Sequence, residues 1–140
     1  MGAPQITLEQ FWKGRDVQFA RELTGAIRAN AELTVSRVNL LLARYAAATG
    51  DERPRGVTSG WRPAAVNAGT PGSAKRSNHM LGLACDVADA SGALDEWLMT
   101  AAGLSVLGEC ELWLEHPDST VGWCHLQIVP PRSGRRVFRP

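Results

Sequence analysis

The first fifty positions of the chain carry apolar side chains at helical spacing. Thr7 and Gln10 form a capping-box pattern ahead of Phe11 and Trp12. This pattern predicts a helix that begins at Leu8.

A second, longer helix is predicted from about Ala31 to a C-terminal stop at Gly50. Gly14 and Asp16 are expected to interrupt the first helix before it. Apolar residues that recur every three or four positions place the second helix in the core. They are Leu33, Val38, Leu41, Leu42 and Tyr45.

After position 56 the pattern changes to short apolar runs separated by Gly, Pro and Asn. Four of these runs predict strands: 57–61, "LACDVAD", "CELWLEH" and "GWCHLQIV". The segment "GALDEWLMTAAGLSVLG" is predicted to form one or two helical turns, and residues 62–77 are predicted to form a loop.

Helices followed by strands with a helical insert indicate an α+β fold, in which N-terminal helices pack on a small, mainly antiparallel sheet. Pro130 and Pro131 are expected to end the last strand. The length of 140 residues suits one domain over 1–140, with a helical part at 1–50 and a core at 55–130.

The composition is that of an average globular protein, with 44% hydrophobic and 21% charged residues. Fifteen basic and fourteen acidic residues leave a net charge of +1, which argues against nucleic acid as a partner. The most basic run, "RSGRRVFRP", is short and is interpreted as a solvated tail. A monomer is the default expectation.

No apolar run reaches the roughly 18 residues that span a bilayer, so no transmembrane segment is predicted. The stretch "MGAPQITLEQFW" lacks the basic-then-apolar order of a secretory leader. The chain is therefore expected to be made in the cytoplasm without a signal peptide.

The chain has three cysteines, Cys85, Cys110 and Cys124, and no close CxxC pair. This odd count argues against a disulfide scaffold or a cysteine zinc site. Cys85 and Cys124 neighbour Asp86 and His125 in predicted strands, so the cysteines are expected to point to the opposite face, into the core.

Three ionisable residues, His79, Asp86 and His125, lie in or next to otherwise apolar strands. An unpaired carboxylate there would be costly to bury. Two explanations fit these residues: a hydrogen-bonded histidine and aspartate, or one zinc ion that all three bind. Zinc accepts imidazole nitrogen and carboxylate oxygen, and catalytic zinc sites typically use three protein ligands.

The run Ser77-x-His79-x-x-Gly82-x-Ala84-x-Asp86 resembles the S-x-H-x-x-G-x-A-x-D signature of a zinc peptidase family. This family includes D-Ala-D-Ala carboxypeptidases, D-Ala-D-Ala dipeptidases and phage L-alanyl-D-glutamate endopeptidases. Upstream, "SGWRP" is similar to the family's S-G-[YW]-R element, and downstream "GWCHLQ" is similar to its W-x-H strand. The three elements occur in the family's order and cover residues 57–129.

The resemblance implies that His79, Asp86 and His125 bind one Zn²⁺ ion. It also implies a carboxylate close to the last ligand that acts first as general base and then as general acid. Many members carry this acid three residues before the final histidine, where this chain has Gly122.

Three acidic residues are candidates for this role. Glu115 is favoured, because "LWLEHP" resembles the end of the strand that carries the acid in members with a longer loop before W-x-H. Glu111 has the same strand parity but lies further back, and Asp118 lies where a turn is expected. The alternative for Glu115 is a solvated carboxylate at a strand end, and His116 beside it is interpreted as a turn residue.

Arg62 is similar in position to an arginine that the family places near the substrate. It is expected to bind a substrate carboxylate or to stabilise a developing oxyanion. Ser77 could contact substrate or order the loop ahead of His79. Trp61 could pack the sheet or form a wall of the substrate cleft.

The resemblance therefore implies a zinc-dependent peptidase that cuts stem or cross-link peptides of bacterial peptidoglycan. A phage or prophage lysis enzyme fits this description, with a separate route to the cell wall such as a holin. Carboxypeptidase and endopeptidase activity both fit the motifs. Two alternatives remain at this point: a zinc-containing module that binds wall peptides without cutting them, and a structural domain without metal.

Overall fold

The computed structural model describes residues 5–140. Residues 1–4, at which the predicted helical part and the stretch without a leader pattern begin, lie outside the described residues. Within 5–140, no helix combines the length and the apolar character needed to cross a membrane.

The first helix, α1, spans Leu8–Trp12 and confirms the predicted start. Its capping box is complete, because the Thr7 side chain accepts from the Gln10 backbone while the Gln10 side chain accepts from the Thr7 backbone. The helix ends at Lys13, which adopts a left-handed conformation with φ of 53°. Two short elements follow, α2 at Arg15–Gln18 and a 3₁₀ turn at Ala20–Glu22.

The long helix α3 spans Gly25–Thr49 and begins six residues before the predicted Ala31. The Thr24 side chain caps it by accepting from the Ile27 backbone, and Gly50 ends it as predicted. The expectation that Leu33 belongs to the buried face was wrong. Leu33 is 43% exposed, because the face turned to the core carries other residues. They are Ala31, Thr34, Val35, Val38, Leu41, Leu42 and Tyr45.

Five strands form one sheet, and together with the helices they confirm the α+β class. In chain order they are β1 Val57–Ser59, β2 Ala84–Ala88, β3 Trp113–Glu115, β4 Trp123–Gln127 and β5 Val137–Phe138. The order across the sheet is β1-β2-β4-β3-β5. Every pairing is antiparallel except β3 with β5, which is parallel.

Strand β5 corrects the interpretation of the C-terminal run as a solvated tail. Its backbone carbonyls at Arg136 and Phe138 accept from the Leu114 and His116 amides of β3. Two residues are too few to show the alternation from which a strand is predicted.

The helical insert is longer than the predicted one or two turns. It forms α5 at Ala93–Leu98 and α6 at Ala101–Glu109, with the Thr100 side chain capping α6. The predicted loop at 62–77 also contains a short helix, α4, at Ala64–Ala68.

The sheet has one face in the core and one face that carries the ionisable residues. Cys85, Val87, Cys124 and Leu126 are fully buried in the hydrophobic core together with α3. This confirms the expectation for Cys85 and Cys124. Because side chains alternate along a strand, their neighbours in β2 and β4 point to the opposite face.

Candidate metal centre

Asp86 and His125 meet because β2 and β4 place them directly opposite each other. The Asp86 Oδ1 atom lies 2.8 Å from His125 Nδ1. Both side chains are mostly buried, with 12% of each exposed. The two strands on which the sequence motifs lie therefore deliver two of the three predicted ligands to one point.

His79 reaches the same point from a 3₁₀ turn, Asn78–Leu81, just before β2. The Ser77 hydroxyl accepts from the His79 backbone amide at 3.2 Å, so Ser77 orders this turn. Gly82 ends the turn with φ of 74°, and a Cβ there would lie 2.9 Å from the Ile27 carbonyl oxygen. Gly82 thus lets the turn pack closely against α3.

The His79 ring is oriented by the backbone of the β1 end. Its Nδ1 atom lies 2.8 Å from the Gly60 carbonyl oxygen, which can only accept a hydrogen bond. The proton of neutral His79 is therefore on Nδ1, and the lone pair is on Nε2. That Nε2 atom is buried without a hydrogen-bond partner, although it lies 3.3 Å from Asp86 Oδ2.

The His125 ring is held in the same sense by Gln127. The Gln127 amide nitrogen donates to the Val129 carbonyl, which leaves its oxygen Oε1 facing His125 Nε2 at 2.9 Å. His125 Nε2 therefore donates, and the lone pair of the neutral ring lies on Nδ1, directed at Asp86. Gln127 was not predicted as a site residue, but its position two residues after His125 on one strand face was a usable signal.

Two imidazole lone pairs thus converge on one carboxylate, an arrangement in which acceptors face acceptors. A cation or a proton must lie between such groups. One nitrogen or oxygen atom from each of His79, Asp86 and His125 lies within 4.8 Å of the others, so the three residues can hold a metal ion. Two nitrogens and one oxygen form a donor set that suits zinc.

The protonation of the three groups follows from burial and from their mutual contacts. Burial lowers the pKa of His79, which favours its neutral, ligating form. Burial alone would raise the pKa of Asp86, but the two histidines outweigh it and keep Asp86 ionised. Burial also opposes the charge on His125, but the hydrogen bond to Asp86 raises its pKa. A proton and a metal ion therefore compete for His125 Nδ1.

Glu115 is the candidate acid that the fold brings to this face of the sheet. β3 pairs with β4 through Leu114 and Leu126, which are buried in the core, so Glu115 points to the face of His125. Burial raises the pKa of Glu115, while the nearby His125 charge lowers it and Asp86 raises it. The prediction of a merely solvated strand-end carboxylate does not match this half-buried position.

Glu111 and Asp118 lie elsewhere. Glu111 is not in β3, so the expected strand parity does not apply. It adopts a left-handed turn with φ of 55°, and its exposed side chain forms an ion pair with Arg37 at 3.4 Å. Asp118 lies in the 3₁₀ turn Pro117–Ser119 and pairs with Arg139 at 3.2 Å.

His116 is a turn residue, as predicted. Its Nδ1 atom accepts from the Asp118 backbone amide at 3.1 Å and so caps the 3₁₀ turn Pro117–Ser119. The group of three possible ligands identified within residues 5–140 does not include His116.

Arg62 and Trp61 follow β1 and lock onto the His79 turn. The Arg62 amide donates to the His79 carbonyl at 3.1 Å, and the Trp61 indole donates to the Met80 carbonyl at 3.0 Å. Trp61 is only 1% exposed and packs edge-on against Trp12. Its ring supports the His79 turn from beneath and offers no face to a substrate, so the alternative of a cleft wall does not apply.

The Arg62 guanidinium is buried near Asp86. Arg62 is 8% exposed, and its Nε atom has no hydrogen-bond partner. Burial lowers the pKa of Arg62, and the Asp86 charge partly offsets this effect. Such a cation is ready to bind an anionic group next to the three possible ligands.

Phe138 of β5 was also missed by the sequence reasoning. Its ring packs edge-on against the His125 ring, with centroids 6.2 Å apart. The tail pattern held no signal for this contact, because it depends on the parallel pairing of β5 with β3.

Comparisons of the chain with protein-family models, with curated proteins and with solved structures found no match.

Proposed function

We propose that this protein is a zinc-dependent peptidase that hydrolyses peptide bonds in the stem or cross-link peptides of bacterial peptidoglycan. The observation that carries the proposal is the convergence of the His79 and His125 lone pairs on Asp86. A half-buried carboxylate and a buried arginine beside this group add the remaining parts of a peptidase site.

Zinc is the metal that best fits two imidazole nitrogens and one carboxylate oxygen. Three protein ligands are also the usual number in catalytic zinc sites, which keep one position open. When bound, zinc would act as a Lewis acid on a peptide carbonyl and lower the pKa of a water ligand toward about 7.

Glu115 is assigned the proton transfers of hydrolysis. As a carboxylate it takes a proton from the attacking water, and as a carboxylic acid it gives that proton to the leaving amine. A pKa raised by burial suits both steps, since the group must change protonation near neutral pH.

Arg62 is assigned the negative charge of the substrate. Its guanidinium can bind a carboxylate in two parallel hydrogen bonds or stabilise the oxygen that becomes negative during attack. Ser77 and Trp61 are positioning residues, because their contacts hold the His79 turn. Gln127 has a similar role toward His125.

Peptidoglycan peptides are proposed as the substrate class because the three motifs of residues 57–129 resemble those of peptidoglycan peptidases. A phage or prophage lysis enzyme is the proposed biological setting. Such an enzyme, made without a leader, would reach the wall by a separate route such as a holin.

The proposal is tested by mass spectrometry of purified peptidoglycan after digestion with the zinc-loaded protein. We expect new amine and carboxyl ends that a chelator abolishes, and their masses identify the bond that is cut. Intact peptidoglycan in the presence of bound zinc would instead favour the non-catalytic module that binds wall peptides.

A further inference from the structure

A second arginine, Arg15, lies beside Arg62. Arg15 is the first residue of α2, and its Nη1 atom donates to the Trp61 carbonyl oxygen at 3.0 Å. Trp61 directly precedes Arg62, whose amide in turn donates to the His79 carbonyl. Both guanidinium groups are therefore attached to the segment that orients a proposed metal ligand.

Neither guanidinium forms an ion pair with a carboxylate among residues 5–140, whereas five other arginines of the chain do. Those five are Arg37, Arg44, Arg53, Arg55 and Arg139. Arg62 makes no side-chain hydrogen bond in the described residues, and its buried Nε is unpartnered. A buried cation without a counter-ion is costly, and a second cation beside it adds to that cost.

The electrostatics of the two groups agree with this geometry. Burial lowers the pKa of Arg15, and burial followed by the Arg15 charge lowers the pKa of Arg62. Asp86 is the anion that Arg62 feels, but in the proposed function that carboxylate is a metal ligand. An additional anion would relieve the repulsion between the two arginines.

We propose that Arg15 and Arg62 together bind a carboxylate of the peptide substrate, so that Arg15 determines specificity for peptides with a carboxylate next to the scissile bond. This inference rests on the proposed function. Arg15 uses one of its five N–H donors on the Trp61 carbonyl. The other four remain available for a planar carboxylate.

Two sources present this chemistry in wall peptides. One is the C-terminal carboxylate of an acyl-D-Ala-D-Ala peptide, and the other is the free α-carboxylate of an L-Ala-D-Glu unit. The first would make the enzyme a carboxypeptidase, and the second would make it an endopeptidase.

Isothermal titration calorimetry with four probes tests the inference. The probes are N-acetyl-D-Ala-D-Ala, its C-terminal amide, N-acetyl-L-Ala-D-Glu and its α-amide. The zinc-loaded Glu115→Gln protein is used so that turnover does not consume the probe. We expect at least one acid to bind about tenfold more tightly than its amide, and the preferred pair identifies the source of the carboxylate.

The same titrations with Arg15→Gln added separate the new residue from Arg62. We expect the acid to lose about tenfold in affinity and the amide to be unchanged, because only the acid presents the charge. Arg21→Gln is the matched control, since Arg21 is exposed in the adjacent 3₁₀ turn Ala20–Glu22 and removes the same charge. Thermal unfolding and zinc content confirm that each variant is folded.

Equal affinity for each acid and its amide in the parent protein would overturn the inference, as would an unchanged acid preference in Arg15→Gln. The proposed function fails separately. If the acid preference exists and depends on Arg15 but wild-type protein cleaves neither peptide nor wall, the carboxylate site stands and the peptidase assignment does not.

Discussion

His79 Nε2 and Asp86 Oδ2 lie 3.3 Å apart without a hydrogen bond between them. The Gly60 carbonyl fixes the His79 proton on the far side of the ring, so two acceptors face each other in a buried site. His125 repeats the arrangement from the opposite strand, with Gln127 in place of Gly60. A cation bound between these groups explains all four contacts together.

Removal of a proposed ligand is expected to abolish metal binding. His79→Ala and Asp86→Ala should each reduce zinc from one ion per chain to background, because two remaining ligands bind zinc weakly. Metal analysis after gel filtration measures this. His116→Ala is the matched control and should retain one zinc, since that ring caps a surface turn. Full zinc content in His79→Ala would exclude the assigned site.

Gln127→Ala is expected to weaken zinc binding by about 10- to 100-fold without abolishing it, because the His125 ring loses the partner that sets its tautomer. Competition with a chromogenic chelator gives the affinity. Gln127→Glu, which keeps an acceptor for His125, should bind more tightly than Gln127→Ala. An affinity unaffected by Gln127→Ala would mean that the hydrogen bond does not orient His125.

Glu115→Gln is expected to lower the rate of peptide hydrolysis by about 10²- to 10⁴-fold, because the amide cannot accept the proton of water. Zinc content should be unchanged. Glu111→Gln and Asp118→Asn are the controls, since both side chains form surface ion pairs away from the site. Rate loss in Glu111→Gln or Asp118→Asn with normal turnover in Glu115→Gln would reassign the proton transfer.

The stability of the fold is expected to depend on pH through Asp95. Burial and the charge of Asp89 raise the pKa of Asp95 from 3.8 to about 6. The folded state therefore holds its proton more tightly than the unfolded state between these two values. The stabilisation by this group is complete below about pH 4 and is lost as the pH rises through about 6.

Asp95→Asn should consequently raise the free energy of unfolding at pH 7 by about 1–2 kcal/mol, and the gain should vanish at pH 4. Its amide oxygen can still accept from the Thr120 hydroxyl, as Asp95 does. Denaturant unfolding at both pH values measures the difference. Glu96→Gln, at an exposed neighbouring position, should show no such dependence. A gain of the same size at pH 4 and pH 7 would argue against a raised pKa.

The parts of the site that the sequence predicted are those that depend on strand alternation. Asp86 and His125 interrupt apolar strands, and their cysteine neighbours fall on the core face as expected. The parts that escaped depend on contacts between distant segments. Phe138 reaches His125 only because two residues of the tail pair with β3, and Trp61 is buried only because Trp12 packs on it.

Local backbone geometry accounts for another miss. Glu111 has the sequence spacing of a strand residue, but α6 ends at Glu109 and a left-handed turn follows before β3 begins. The turn moves the Glu111 side chain away from the site, which the spacing alone does not reveal.

The central claim is most directly tested by zinc titration of the chelated protein, with release of new amines from peptidoglycan measured at each step. We predict that activity rises in proportion to bound zinc and reaches its plateau at one zinc per chain. Full activity in the chelated protein, or one bound zinc per chain without amine release, would contradict the assignment as a zinc peptidase.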